Sequence, residues 1–121
     1  MSIAMLPNIE REALKMLVSE SDTTLIRLSD QFSHVVKIER TETGAGVYVV
    51  FKLDRDVRPL KGGGTFVLSG VFAVSSQCSE IGFLLYVKEG LIDCMEGYSS
   101  ADIYPNYDEC NFRIEKEAKT T

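Results

Sequence analysis

The sequence predicts an α+β fold: an N-terminal two-helix hairpin packed on an antiparallel, five- to six-stranded meander sheet, all within one domain spanning residues 1–121. Three observations lead there. Apolar residues recur at helical spacing only before residue 33, and from residue 34 onward β-branched and aromatic residues alternate with polar ones. Short turns separate the alternating runs with no helical stretch between them, which excludes parallel crossovers. Finally, 121 residues at 45% hydrophobic and 26% charged make up one ordinary globular domain.

The first helix opens at Leu6-Pro7-Asn8, where proline is tolerated because its missing N–H would have no partner in a first turn. Ile9, Ala13, Leu14, Met16 and Leu17 follow at near-helical spacing, and Glu10 and Glu12 suit the positive end of the helix dipole. This helix is expected to stop near 19–21. Asp22 or Thr23 would cap a second, shorter helix with Leu25, Leu28 and Phe32 as its buried stripe. Residues 34–42 read as a strand, 43–46 (Thr-Gly-Ala-Gly) as a turn, and 47–53 as the next strand with Val47, Val49, Phe51 and Leu53 on one face. Residues 54–64 form a charged loop with Pro59 and three consecutive glycines. The long strand 65–75 carries Gly70 in its middle, the mark of a bulge or a close backbone approach. Residues 81–88, a Glu89-Gly90 turn and residues 91–98 make the clearest hairpin. A loop with Pro105 covers 99–107, and 110–116 is a last short strand before a frayed tail.

Several kinds of chemistry lack support. The cysteines, Cys78, Cys94 and Cys110, are odd in number and widely spaced, so they read as three reduced, small apolar residues rather than a disulfide framework. With no CxxC pair and only one histidine, His34, no metal site is expected. His34 opens a strand, where a surface or cap role is the expectation, and no GxSxG elbow is present. Asp93 and Glu96 lie three apart on one strand and should point to opposite faces, which argues against a paired-carboxylate site. Lys61-Gly62-Gly63-Gly64-Thr65 has its lysine before the glycines and a strand after them, so it is a loop and not a phosphate cradle. No cofactor is expected and the chain is not expected to be an enzyme. An enzyme using His34 and a cysteine is the weakest alternative. No apolar run nears the ~20 residues of a bilayer span. The first residues lack a basic n-region and a long apolar stretch, so the expectation is a cytoplasmic protein without membrane association.

Charge is where the sequence is most informative. The net charge is −5, from 18 acids and 13 bases. Residues 89–112 hold six acids and no lysine or arginine, leaving 12 acids against all 13 bases elsewhere. The same segment carries Tyr98, Tyr104, Tyr107 and Phe112. A local negative field repels nucleic acid and attracts basic partners, and tyrosine gives large contact area at low entropy cost. Asp93, Glu96, Tyr98, Asp102, Tyr104, Tyr107, Asp108 and Glu109 are therefore the expected partner-binding residues. On strand 91–98 the alternation places Asp93 and Met95 on one face and Ile92, Cys94, Glu96 and Tyr98 on the other.

One stretch carries a resemblance: Ile81-Gly82-Phe83-Leu84-Leu85-Tyr86-Val87-Lys88-Glu89-Gly90-Leu91-Ile92-Asp93-Cys94-Met95-Glu96-Gly97-Tyr98-Ser99. It resembles small bacterial proteins with a strand, an xG turn and a second strand ending Glu-Gly-Tyr/Phe, followed by a loop proline. Pro105 and the helix Arg11-Glu12-Ala13-Leu14 fit the group. Ile103-Tyr104 stands before Pro105 where the group often has tryptophan, and this chain has none. Members of the group are similar to immunity proteins of bacterial toxin–immunity pairs, including contact-dependent growth inhibition systems. The resemblance implies a non-enzymatic cytoplasmic inhibitor that binds a cognate toxin C-terminal domain as a monomer in a one-to-one complex, and the acidic segment, suited to a basic partner, points to a toxin of the basic nuclease type. It transfers no individual residue roles. The competing expectation is a small structural or regulatory module, homodimeric through an exposed sheet edge.

Overall fold

The computed structural model describes residues 3–19 and 27–117. Helix α1 is Asn8–Ser19, and the strands are β1 (Val35–Glu42), β2 (Gly46–Leu53), β3 (Phe66–Val74), β4 (Ile81–Lys88), β5 (Leu91–Ser99) and β6 (Arg113–Lys116). They form one six-stranded sheet in the order β1-β2-β5-β4-β3-β6, with every pair antiparallel. The α+β class and the strands thus stand as expected.

Two expected details differ. The segment before β1 is a 3-10 helix, Leu28–His34, rather than the second arm of an α-helical hairpin. Its buried residues are Leu28 and Gln31, and the expected cap at Asp22 or Thr23 and the stripe residue Leu25 lie outside the described residues. Nor is the sheet a simple meander. The β1-β2 hairpin and the β3-β4-β5 run each follow sequence order, but β2 pairs with β5 and the last strand returns to β3. Central β4 and β5 are apolar enough to be paired on both sides. The charged β1 and the short β6 take the edges, where lysine and glutamate discourage further pairing.

One face of the sheet is the core. Val47, Val49 and Phe51 of β2, Met95 of β5, Phe83, Leu85 and Val87 of β4, and Val71 and Ala73 of β3 are buried there, and α1 lies over β3, β4 and β6. The helix presents Glu10, Ala13, Leu14, Leu17 and Val18 to it, spaced i, i+3, i+4, i+7 and i+8. Three bulges adjust the alternation, the first at the start of β1 between Val35 and Lys37. At Gly70 (φ +87°), β3 carries an extra residue between Leu68 and Val71. At Asp93, β5 does the same: Tyr86 pairs with Cys94, but Val87 pairs with Ile92. The third bulge corrects the expected faces of β5. Ile92 joins Met95 and Gly97 in the core, and Asp93 is the exposed extra residue.

The Glu89-Gly90 turn has positive φ at both residues (+52° and +79°), which matches the right-handed twist of the hairpin. Gly90 has a further reason to be glycine: a Cβ there would sit 2.8 Å from the backbone N of Leu60. Buried Gln31 ties this region together. Its amide donates to the Gly90 and Arg58 carbonyls (2.8 and 3.1 Å), and its oxygen accepts from the Ile92 N–H (2.9 Å).

The cysteines correct another expectation. Cys78 and Cys110 form a disulfide, with Cα atoms 6.2 Å apart across 32 residues of sequence. Pairing of β6 with β3, Ala73 opposite Ile114, brings the β3–β4 loop beside the segment entering β6. That is a tertiary consequence which spacing along the chain does not reveal. Cys94 is a free thiol.

Candidate functional site

The eight residues of the acidic, tyrosine-bearing segment do not share one surface. The sheet divides them between its two faces and one end. Gly97 and Tyr98 mark the division: a Cβ at Gly97 would meet the Tyr104 hydroxyl on the core side, whereas the Tyr98 ring lies across Gly82 on the other side.

On the core side stands a buried polar cluster. Glu10 sits on the apolar stripe of α1 and is 0% exposed, so it belongs to the buried face of the helix as well as to the positive end of its dipole. Burying a carboxylate is costly unless it is paired and hydrogen-bonded. Here Arg40 of β1 supplies the pairing, with Nε donating to Oε1 at 3.0 Å and Nη2 to Oε2 at 2.7 Å. Register puts Arg40 opposite Val49, on the core face, so its guanidinium reaches over β1 to the helix. Arg40 also donates to Glu42 at 2.9 Å. The hydrogen bond to Glu10 holds the guanidinium far above its ordinary pKa, against the opposing effect of burial.

Tyr107 completes the cluster. Its hydroxyl donates to Glu10 Oε2 at 2.6 Å, and the Tyr104 hydroxyl lies 2.6 Å from that of Tyr107. A phenol has one proton, and Tyr107 spends it on Glu10, so Tyr104 is the donor in the second bond. Burial is the largest cause raising both phenols above the ordinary tyrosine range, and the negative charge of Glu10 adds to it. Tyr104, Tyr107 and Phe112 also stack edge to face, with centroids 5.8 and 6.4 Å apart. These two tyrosines face inward and act as struts for the loop they sit on.

That loop is pinned along its length. Ser99 N and Tyr104 N donate to the Ala45 and Gly44 carbonyls of the β1–β2 turn, and Ser100 N donates to the Glu80 carbonyl. Asn106 caps the single 3-10 turn Tyr107–Glu109 by accepting from Asp108 N at 3.0 Å. Cys110 is bonded to Cys78. Held this way, the loop exposes Asp102, Asp108 and Glu109 together with Ile103, which is 77% exposed. A cleft of about 310 Å³ opens between Arg40, Glu42, Tyr104 and Asn106.

On the opposite face of the sheet, which carries no helix among the described residues, Tyr48, Glu96 and Leu84 lie in one row across β2, β5 and β4. Val50, Cys94 and Tyr86 form the next row, and Tyr98, Gly82 and Phe72 the row on the other side. The Tyr86 hydroxyl donates to Glu96 Oε1 at 2.9 Å. The charge of Glu96 raises the Tyr48 phenol, and its hydrogen bond raises the Tyr86 phenol. Burial raises the Cys94 thiol, which lowers its nucleophilic fraction. Asp93, on its bulge, stands apart from Glu96.

Sequence reasoning missed Glu10, Arg40, Tyr48 and Tyr86. The helical spacing of Glu10 with Ala13, Leu14 and Leu17 was a usable signal, as was the strand parity of Tyr48 and Tyr86. The Glu10–Arg40 pairing had none. Elsewhere, His34 Nδ1 lies 2.9 Å from Asp54, whose carboxyl this hydrogen bond holds below its usual range. Of the cysteines weighed as partners for His34, Cys78 and Cys110 are bonded to each other. Among the described residues, no group of three or more His, Cys, Asp or Glu converges on a metal position, and no helix is long and apolar enough to cross a membrane.

Comparison with protein-family models, with curated proteins and with solved structures finds no match for this chain.

Proposed function

We propose that this chain is a non-enzymatic binding protein that neutralises a basic partner through the pinned loop 99–110, acting as an immunity protein for a cognate toxin domain of the nuclease type. The observation that carries the reading is the anchoring of the loop. Tyr107 bonds to Glu10, two backbone bonds reach the β1–β2 turn, and a disulfide fixes the far end. Asp102, Asp108 and Glu109 are thereby offered in a fixed arrangement beside exposed Ile103. A surface ordered in advance loses less entropy on binding, and carboxylates steer a basic protein toward it. The complex would be one-to-one and bury about 1,200–2,000 Å² in total. The roles within the segment divide: acids and Ile103 make contact, while Tyr104 and Tyr107 support.

The test is growth rescue. The toxic C-terminal domain encoded immediately upstream is expressed with and without this protein. Restored growth and co-purification are the expected result, and failure to protect overturns the assignment. Neutralising Asp102, Asp108 and Glu109 together (to Asn, Asn and Gln) should slow association and flatten its salt dependence, and unchanged association would move the interface elsewhere. The proposal sets the encounter in the cytoplasm, where a delivered nuclease acts. A disulfide persists only where reductants do not remove it, so counting free thiols in rapidly quenched cell extract tests that setting.

A further inference from the structure

We infer that the uncovered face of the sheet is a second docking surface, separate from the acidic loop, and that it receives an arginine or lysine side chain of a basic protein segment at Glu96. Glu96 lies on β5, an interior strand, at the middle of that face. The face also carries Glu39 and Glu115 on the outer strands. Those two are already paired, Glu39 with Lys37 at 3.4 Å and Glu115 with Arg113. Glu96 has no such partner: among the described residues, no lysine or arginine stands within ion-pair distance of it.

Its neighbours are suited to a cation. Tyr48 is directly opposite on β2, Tyr86 donates a hydrogen bond from β4, and Tyr98 lies two residues along on the same face. Tyr48 and Tyr98 are each 39% exposed, so ring surface is available beside the carboxylate. A carboxylate bordered by aromatic rings binds a guanidinium or ammonium group by a charge-assisted hydrogen bond and by cation–π attraction together. The Tyr86 hydroxyl donates to Oε1 and the Tyr48 phenol also hydrogen-bonds to the carboxylate; the two bonds orient the group, and its oxygens keep further lone pairs that can accept. Leu84, Val50, Phe72 and Val67 surround this centre with apolar surface. The alternative occupant, a second copy of this chain, would bring the same unpaired carboxylate and another net −5 against the face. Lys37 and Lys52 lie at one edge of the face and Arg113 at the other, so it is the uncompensated carboxylate of Glu96 at the centre, and not the net charge of the face, that selects a basic side chain.

The probe is a capped five-residue peptide with one central arginine, compared with the same peptide carrying citrulline. Both are titrated into the full chain and followed by backbone amide NMR. The expected result is a saturable shift of the Tyr48, Tyr86 and Glu96 amides by the arginine peptide, with citrulline at least tenfold weaker. Glu96→Gln, which keeps an acceptor for Tyr86, should weaken the arginine peptide by a similar factor. Tyr48→Leu should cost about threefold through loss of the ring. Equal binding of citrulline, no effect of Glu96→Gln in a chain with an otherwise unchanged spectrum, or shifts confined to 102–109 would each overturn the inference. So would a concentration-dependent dimer whose interface maps to this face. Failure here leaves growth rescue through the acidic loop intact, and a failed rescue leaves this peptide titration intact.

Discussion

Tyr107 donates a hydrogen bond of 2.6 Å to Glu10, a residue 97 positions earlier in the sequence and fully buried on the first helix. This contact joins the start of the chain to the loop that presents the acids. Removing the hydroxyl with Tyr107→Phe leaves the Glu10 carboxylate short of one donor in a buried site. A hydrogen bond to a charged group contributes about 1.5–3 kcal/mol, and we expect a loss of stability in that range by chemical denaturation. Amides of 100–109 should exchange faster in the variant than those of β4 and β5.

The Glu10–Arg40 pair should behave asymmetrically. Arg40→Met leaves a buried carboxylate without its cation and is expected to cost about 3–5 kcal/mol. Combining it with Glu10→Leu removes the uncompensated charge and should recover most of that loss. Denaturant midpoints of the two single variants and the double variant give the coupling directly, and additive losses would contradict the pairing.

Alkaline pH should destabilise the fold before neutral pH does. Tyr104 and Tyr107 are raised in the folded chain. An unfolded tyrosine releases its proton near pH 10, roughly. Above that point the unfolded chain binds fewer protons than the folded one, so stability falls as pH rises. The contribution is fully present below the unfolded value and is lost on approach to the folded values. The expected slope is up to about 1.4 kcal/mol per pH unit for each tyrosine. Denaturation at a series of pH values, with tyrosinate absorbance alongside, checks both sign and slope. Tyr107→Phe should flatten it.

The disulfide should matter to the loop more than to the sheet. A bridge spanning 32 residues of sequence contributes roughly 3–4 kcal/mol on the chain-entropy account. Cys78→Ser with Cys110→Ser should lower stability by that order and loosen 99–110, while the β2-β5-β4 ladder persists. Thiol titration of the unreduced, denatured chain should find one free cysteine, Cys94; three would show the bridge absent.

Glycine 82 offers a simple check on the open face. Its cross-strand neighbour Tyr98 lies across it, and a Cβ would overlap the ring. Gly82→Ala should therefore displace Tyr98 with little effect on the core, visible as shifted Tyr98 ring resonances and weaker binding of the arginine peptide.

The strands were legible because each needs only local signals. Alternation at Val47, Val49 and Phe51 gave β2, and Glu89-Gly90 between two alternating runs gave the β4–β5 hairpin. Gly70 announced its bulge because few other residues tolerate that backbone. The bulge at Asp93 announced nothing, since an acid there fits a regular strand equally well, and so the parity of Ile92 was misread. The described part of the second helix differs for a related reason: Leu28 and Phe32 fit helical spacing, but Leu28–His34 closes as a 3-10 helix that aims Gln31 at the Gly90 turn.

By itself, the sequence determined the α+β class, the position of nearly every strand and the concentration of negative charge in 89–112. These follow from period, turn chemistry and composition, which are properties of neighbours along the chain. Tertiary structure alone decided the strand order, the Cys78–Cys110 bridge, the Glu10–Arg40–Tyr107 cluster and the division of the tyrosines between opposite sides of the sheet. Each depends on which distant segments meet. That is settled by pairing both edges of β4 and β5 and by neutralising a carboxylate the helix stripe carries inward, and no local pattern encodes it.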